Sequence, residues 1–409
     1  MVYPAVAGVA GPTGGYRPVH PFQREGRPMA INPALFTLLG IYNGPWTPIS
    51  GTTGGPGNDL ITVGSILNLV VFGNGGNDYI DSRAAGVVNV LNGGADSDQI
   101  FGGSGVNTIN GGPGNDYIEG GGGADILNGG PGIDTLSYES AEPVRGTSTG
   151  VTVTLNASGG GTVSGGSNVG VDVITGGFEN VVGSDFNDTI TGNAGNNVLV
   201  GLGGNDTLKG MAGNDTIIGG DGDDNLNGGD GNDTVDYSAA GGPLRLNLSE
   251  FSARIIGEPF NDVLVYIENA IGSAFVDELR GDQFNNVFCG GGGGDRISGL
   301  GGSDTFVYKD IADSPIIPAG PDFIEDFNRP LDIVGGLLDK IDLSAIDANT
   351  ILAGDQAFTF GALQNGVAGR ITYISSSGHV VADVNGDGFH DFAIRVNSAQ
   401  GIVATDFIL

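Results

Sequence analysis

The sequence predicts an all-β protein: a flat parallel solenoid of nine-residue repeats, interrupted by two β insertions and closed by a β-rich C-terminal cap. Three observations carry that prediction. Glycine supplies 79 of the 409 residues, several times its average use. Acidic residues outnumber basic ones 47 to 15, for a net charge of -32. One Asp or Asn and one hydrophobe recur in strict phase every nine residues, and a fixed period marks a repeat architecture.

The stretch GGPGNDYIEGGGGADILNGGPGIDTLS (111–137) shows the unit three times over. In-frame units fill 84–137, 183–236 and 272–307, with two more at 54–62 and 73–81. Of these 18 units, all have an apolar residue at position 8. Position 6 is Asp in 14 and Asn in four (Asn89, Asn107, Asn197, Asn286). Position 1 is Gly in 17, with Ala84 the exception. Gly at positions 1, 2 and 4 is expected to permit a left-handed backbone and a tight turn. Residues 7 to 9 form a short strand, with position 8 facing the core. Two units then make one coil, and units 18 residues apart stack.

Stacking brings turn carbonyls and position-6 carboxylates together, an oxygen-only set that suits Ca²⁺. The candidate ligands are Asp59, Asp78, Asp98, Asp116, Asp125, Asp134, Asp188, Asp206, Asp215, Asp224, Asp233, Asp277, Asp295 and Asp304. Asn at position 6 keeps a carbonyl oxygen but loses the charge, so its sites are expected to bind more weakly. Rows of Asp repel one another, and a single buried hydrophobe per unit does not offset the entropy of ordering nine residues. The expectation is a chain that is largely disordered without calcium and folded with it.

The unit GGxGxDxUx resembles the nonapeptide of RTX (repeats-in-toxin) proteins, over about 54–409. That resemblance implies a Ca²⁺-binding parallel β-roll. After Val307 come DTFVYKDIADS (overlapping the last repeat), PDFIEDF, DKIDLSAID and HVVADVNGDGFHDFAIRV, a succession similar to the C-terminal domain of serralysin-type secreted proteases. The resemblance implies a β-rich cap over 308–409, which a repeat array needs at its open end. Within it, Asp383, Asn385, Asp387 and Asp391 have EF-hand-like spacing with Gly388 at position 6, but Ile394 stands where the bidentate Glu belongs. The terminal Asp406-Phe407-Ile408-Leu409 resembles the tail of bacterial proteins exported by an ABC-type (type I) exporter. It implies secretion to the extracellular space, and it also reads as a final strand of the cap.

The insertions, 138–182 and 237–271, resemble each other: Tyr138 aligns with Tyr237, and Glu179-Asn180 with Glu268-Asn269. Alternation over Val151–Leu155 and Leu244–Leu248 predicts half-buried strands. Each reads as a β excursion with a packing role, a ligand-binding loop being the alternative. Residues 1–53 contain eight prolines and are expected to be partly disordered. Within them Met29–Tyr42 follows Arg24 and Arg27 and faintly resembles a signal segment, broken by Asn32 and Pro33.

Several classes drop out. The acidity argues against nucleic acid. No run of 18 apolar residues exists, so no membrane span is expected. One cysteine, Cys289, allows no intramolecular disulfide. The only histidines are His20, His379 and His390, so HExxH is absent and a serralysin-type zinc protease is excluded. The GxSxG string at 146–150 lies in an insertion without a following helix pattern, unlike a nucleophile elbow. The reading is a non-catalytic secreted calcium-binding protein of the cell surface or matrix. One alternative is a carbohydrate-binding module for extracellular polysaccharide, since standalone RTX rolls resemble the accessory modules of mannuronan epimerases. The other is an enzyme with an unrecognised site.

Overall fold

The computed structural model describes residues 47–49, 53–63, 69–83, 89–141, 148–166, 169–316, 320–327, 338–352, 354–398 and 400–409. Met29–Tyr42 and the first two residues of the GxSxG string lie outside these. The protein is all-β, as predicted, and built on two facing sheets. The first has fifteen strands, every pairing parallel, from Thr47–Ile49 to Phe407–Ile408. The second has twenty strands and mixes parallel and antiparallel pairings. Within the repeats the chain crosses from one sheet to the other every nine residues. Thus Tyr117–Glu119 lies in the first sheet, Ile126–Asn128 in the second and Thr135–Ser137 in the first again.

The register follows from the period. Tyr117 pairs with Thr135 and Leu199 with Ile217, each eighteen residues apart, so two units make one coil. All eighteen position-8 residues are at most 1% exposed. Each full burial of such a side chain contributes about 1.5–3 kcal/mol. The glycines divide by position. At position 2, Gly94, Gly112 and Gly220 have left-handed φ, and so do Gly114, Gly132 and Gly222 at position 4. None of the position-1 glycines does. There the missing side chain makes room for a close approach of the position-6 carboxylate.

Each insertion adds an antiparallel meander to the second sheet. Thr149–Leu155, Gly161–Gly165 and Val173–Gly176 enter between Ile126–Asn128 and Asn187–Thr191. Leu244–Asn247, Ser252–Ile255 and Asp262–Val265 enter between Asn225–Asp230 and Glu278–Asp282. The first sheet gains only one strand each time, Asn180–Val182 and Asn269–Ile271, and stays parallel throughout. Alternate residues Val151, Val153 and Leu155 are buried, with Thr152 and Thr154 outside.

The coil outlasts the repeat pattern. Asp322–Ile324 and Lys340–Asp342 continue the two sheets beyond Val307, with Ile324 and Ile341 in the core rows. The cap then adds the antiparallel strands Arg370–Ile374, His379–Asp383 and Phe392–Val396 to the second sheet. Phe392 packs edge-on against Tyr308, ring centroids 5.4 Å apart. Phe407–Ile408 is the last strand of the first sheet, with Phe407 in register with Ile341.

Candidate metal centres: two carboxylate columns

Every position-6 residue stands at the start of a strand, immediately before it, at its first residue or, for Asp188, at its second, so stacking lines these residues up along each sheet. Along the first sheet run Asp59, Asp78, Asp98, Asp116, Asp134, Asn197, Asp215, Asp233, Asn286 and Asp304. Along the second run Asn89, Asn107, Asp125, Asp188, Asp206, Asp224, Asp277 and Asp295. Within the blocks the backbone N–H of most members donates to Oδ1 of the next coil's member. Asp98 donates to Asp116, Asp116 to Asp134, Asp188 to Asp206, Asp206 to Asp224 and Asp215 to Asp233, all at 2.8 Å.

The second oxygen is different. Oδ2 of Asp78, Asp98, Asp116, Asp125, Asp134, Asp206, Asp215, Asp224, Asp233, Asp295, Asp304 and Asp322 is buried, with no hydrogen-bond partner among the described residues. A buried, unpaired carboxylate oxygen is costly, so each calls for a partner the chain itself does not supply. Backbone carbonyls converge on the same spots. A Cβ on Gly93 would lie 2.2 Å from Asp98 Oδ2 and 2.7 Å from the Gly111 carbonyl oxygen. On Gly201 it would lie 2.1 Å from Asp206 Oδ2 and 2.4 Å from Gly219 O. Among the described residues no three Asp, Glu, His or Cys side chains converge, so any cation here rests on one or two carboxylates plus turn carbonyls. Hard oxygen donors in a flexible cradle fit Ca²⁺.

Electrostatics tell the same story. Burial pushes the Asp98 and Asp206 carboxyls up to about 9 and that of Asp116 to about 8, with neighbouring column carboxylates adding to the rise. Asp125, Asp134, Asp215, Asp224 and Asp304 rise to about 7, again chiefly through burial. A divalent cation reverses that effect.

Three of the predicted aspartates differ. Asp59 Oδ2 accepts from the Gly55 N–H at 2.5 Å. Asp188 Oδ2 accepts from Ser184 N–H at 2.5 Å, and its Oδ1 from Ser184 Oγ and Val151 N–H at 2.9 and 2.6 Å. Asp277 repeats this with Ser273 and Leu244. The asparagines differ too. Asn197 Nδ2 donates to Glu179 O at 2.6 Å and Asn286 Nδ2 to Glu268 O at 2.8 Å, while their Oδ1 atoms accept from Asn193 and Asp282 N–H. Each amide thus fills its own cradle.

The insertions contribute column members that the nine-residue frame hides. Asp172 and Asp262 accept at Oδ1 from Asp125 and Asp224 N–H. Their Oδ2 atoms accept from the hydroxyls of Tyr138 (3.0 Å) and Tyr237 (2.6 Å). Glu179 and Glu268 do the same work in the other column, accepting from Asp134 and Asp233 N–H. Burial and the adjacent carboxylate hold both tyrosines well above the usual phenol range, so they remain donors. A third version begins at Tyr308, where Asp322 and Asp339 accept from Asp295 and Asp304 N–H at 2.9 Å. There burial and the Asp322 carboxylate likewise hold Tyr308 well above the usual phenol range, while neither Tyr308 Oη nor Asp322 Oδ2 makes a well-formed hydrogen bond among the described residues. The signal was present: DTxxY occurs at 134–138, 233–237 and 304–308.

In the cap, Asp383, Asn385, Asp387 and Asp391 form one loop closed on its own groups. Asp383 Oδ1 accepts from Gly386 N–H (2.6 Å) and its Oδ2 from Gly388 N–H (2.9 Å). Asp391 accepts from Val384 N–H and Asn385 Nδ2, and Asp387 from Phe389 N–H.

These columns define the molecule as a calcium-binding β-roll. Two family models match it. The RTX calcium-binding nonapeptide repeat matches residues 70–84, 88–109, 101–136, 173–208 and 200–235, and the peptidase M10 serralysin C-terminal model matches 224–409. The chain is therefore an RTX-repeat protein with a serralysin-type C-terminal domain, and its repeats bind calcium. No curated protein matches it. The matched serralysin domain is the non-catalytic one, and both families are typical of type I secreted proteins. Among the described residues no helix is long and apolar enough to cross a membrane.

Proposed function

We propose that the protein is a secreted, non-catalytic calcium-binding protein whose solenoid closes when Ca²⁺ enters the carboxylate columns outside the cell. The observation that supports this best is the set of twelve buried Oδ2 atoms without partners among the described residues, eleven of them in a glycine-lined cradle. Their aspartates are the proposed ligands, with the position-1 carbonyls completing each site. Asp59, Asp188 and Asp277, whose oxygens have protein partners, are proposed as the ends of metal-bearing runs.

In the cytosol, poor in Ca²⁺, self-repulsion among acidic side chains keeps the chain open and threadable through an ABC-type exporter. Outside, binding to the folded state alone stabilises it by mass action. Asp406–Leu409 serves as export signal and then as the closing strand. The test is circular dichroism in EDTA, then in ~1–10 mM Ca²⁺, the range of weak extracellular sites. β signal should appear with Ca²⁺ and not with Mg²⁺, which demands octahedral geometry. A folded, unchanged spectrum in EDTA contradicts the reading. Deleting Asp406–Leu409 should retain the protein inside cells carrying the cognate exporter.

A further inference from the structure

The outer faces of the two sheets differ. With position 8 in the core, positions 7 and 9 of each strand point outward. On the second sheet such residues are open: Val70, Phe72, Ile126 and Val173 are 44–51% exposed. On the first sheet Tyr79, Phe101, Tyr117, Val182 and Val200 are at most 4% exposed, and Thr135 and Ser137 between them are fully buried. Further along the same sheet Thr234, Asp236 and Thr305 are only half-buried. The closed stretch runs over six neighbouring strands, from Tyr79–Asp81 to Val198–Gly203.

This closed face is apolar. Its three aromatic rings form a chain, Tyr79 to Phe101 to Tyr117, with centroids 5.2 and 5.9 Å apart. Together with Val182, Val200 and Leu202 they make a cluster of their own, separate from the core between the sheets. A solenoid of two sheets has one core, so a second apolar layer outside one sheet needs a third layer to cover it. Arg83 covers one corner: its guanidinium lies 4.6 Å from the Phe101 ring centroid and donates to Tyr79 Oη at 2.9 Å. Ser140 Oγ donates to Glu119 beside it. One arginine and one serine do not close six strands.

We propose that Met29–Tyr42 is the cover, a strap laid across the outer face of the first sheet. The described chain begins on this sheet: Thr47–Ile49 is its outermost strand, two strands from Tyr79–Asp81. That is ~10 Å at a strand spacing of ~4.8 Å, and the four residues 43–46 reach ~13 Å when extended. The closed face is ~24 Å across its six strands. Fourteen residues span ~21 Å as a helix and ~46 Å when extended, so Met29–Tyr42 crosses the face in either form. Its composition fits. Ten of the fourteen residues are apolar and none is charged. In a chain of net charge -32, it brings no carboxylate onto an apolar surface, where an unpaired charge is costly. A bare aromatic patch of this kind invites association; the strap keeps the face within its own chain and ties the N-terminal segment to the first two blocks.

The experiment is limited chymotrypsin digestion of the full chain in saturating Ca²⁺, with the cuts located by intact mass. In wild type the bonds after Phe36 and Tyr42 should be cut slowly. Val200→Asp, which puts a charge on the face, should speed both cuts roughly tenfold or more, as loss of a buried aliphatic contact implies. Thr234→Asp, on the same sheet beyond the closed strands, should leave them unchanged. Circular dichroism and bound calcium are read on the same samples. Because Val200→Asp can disturb the roll itself, Leu39→Asp approaches from the strap. It should raise binding of the hydrophobic dye ANS while dichroism and bound calcium stay the same. Equal cutting of wild type and folded Val200→Asp overturns the proposal, and so does unchanged dye binding by Leu39→Asp. Wild type that sediments as a dimer, with the Phe36 and Tyr42 bonds open, overturns it in favour of a second copy on this face.

Discussion

The repeat blocks and the insertion junctions solve one problem in two ways. In both, a column carboxylate accepts the N–H of the preceding coil with Oδ1 and must satisfy Oδ2. Inside the blocks, as at Asp98, Asp116 and Asp206, the chain supplies no donor for Oδ2. At the junctions it supplies one: Tyr138 for Asp172, Tyr237 for Asp262, Ser184 for Asp188 and Ser273 for Asp277. Substituting a protein hydroxyl or amide for a cation costs no metal and binds none. With the orphaned oxygens as the proposed ligands, calcium dependence is set locally by whether one oxygen has a donor, not by the Asp count. It also divides the array: metal-dependent blocks are bounded by coils that hold themselves together.

The largest break in that comparison is Asp206→Ala. Asp206 accepts from Asp188 N–H and contributes an orphaned oxygen midway along its block. Calorimetry should show fewer bound Ca²⁺, and circular dichroism should show loss of the calcium-dependent structure of 183–236. Asn89→Ala should cost much less, because that position carries no charge.

Acid should act oppositely on the two states. The folded, metal-free carboxyls of Asp98, Asp116 and Asp206 titrate at about 9, 8 and 9, against 3.8 for the ordinary group. Between these values the folded chain holds more protons than the unfolded chain. Their contribution to metal-free stability is therefore fully present below about pH 4 and lost as pH rises through 8 to 9. In EDTA, structure should increase as pH falls from 9 to 5. In Ca²⁺ the midpoint of the titration should move to higher Ca²⁺ over the same fall, because protons and cation compete for Oδ2.

Removing a junction donor should have a smaller effect and should make that junction calcium-dependent. Tyr237→Phe leaves Asp262 Oδ2 buried and unpaired, a loss of roughly 1–3 kcal/mol. Denaturant unfolding in saturating Ca²⁺ should register whatever part of that loss is not recovered by about one additional bound Ca²⁺ at the freed oxygen of Asp262. The converse change, Asn197→Asp, removes an amide that fills its own cradle and should add about one bound Ca²⁺ by titration, the affinity arithmetic permitting detection at millimolar levels. The smallest change is expected from Asp387→Ala in the cap loop, whose carboxylate accepts from Phe389 N–H; bound calcium should not fall.

Much of this was legible in the sequence. A nine-residue phase with an invariant apolar position 8 implies two facing core rows, and Ile118, Leu127 and Leu136 lie there fully buried. Position 6 was readable because only Asp or Asn occupies it. What the phase could not carry lay outside it. Asp172, Asp262 and Asp322 follow their tyrosines by 34, 25 and 14 residues, so loop length breaks the frame that would align them. Asp188 looks like Asp206 until the serine at position 2 of its unit is given a hydrogen-bonding role. Position-1 glycine looked like a turn residue because sequence shows glycine without its reason. The reason is contact: a Cβ on Gly111 would sit 2.2 Å from Asp116 Oδ2.

Residue-resolved hydrogen–deuterium exchange of the full chain, in saturating Ca²⁺ and in EDTA, tests the central claim most directly. The ladder amides of Asp98, Asp116, Asp206 and Asp215, each bonded to the next coil's Oδ1, should be protected in Ca²⁺. In EDTA they should lose that protection, and they should lose it before the amides of Val151 and Leu244, which bond to the serine-held carboxylates of Asp188 and Asp277. Equal protection of the block amides in both conditions would contradict the account, because it would mean that the orphaned oxygens need no cation.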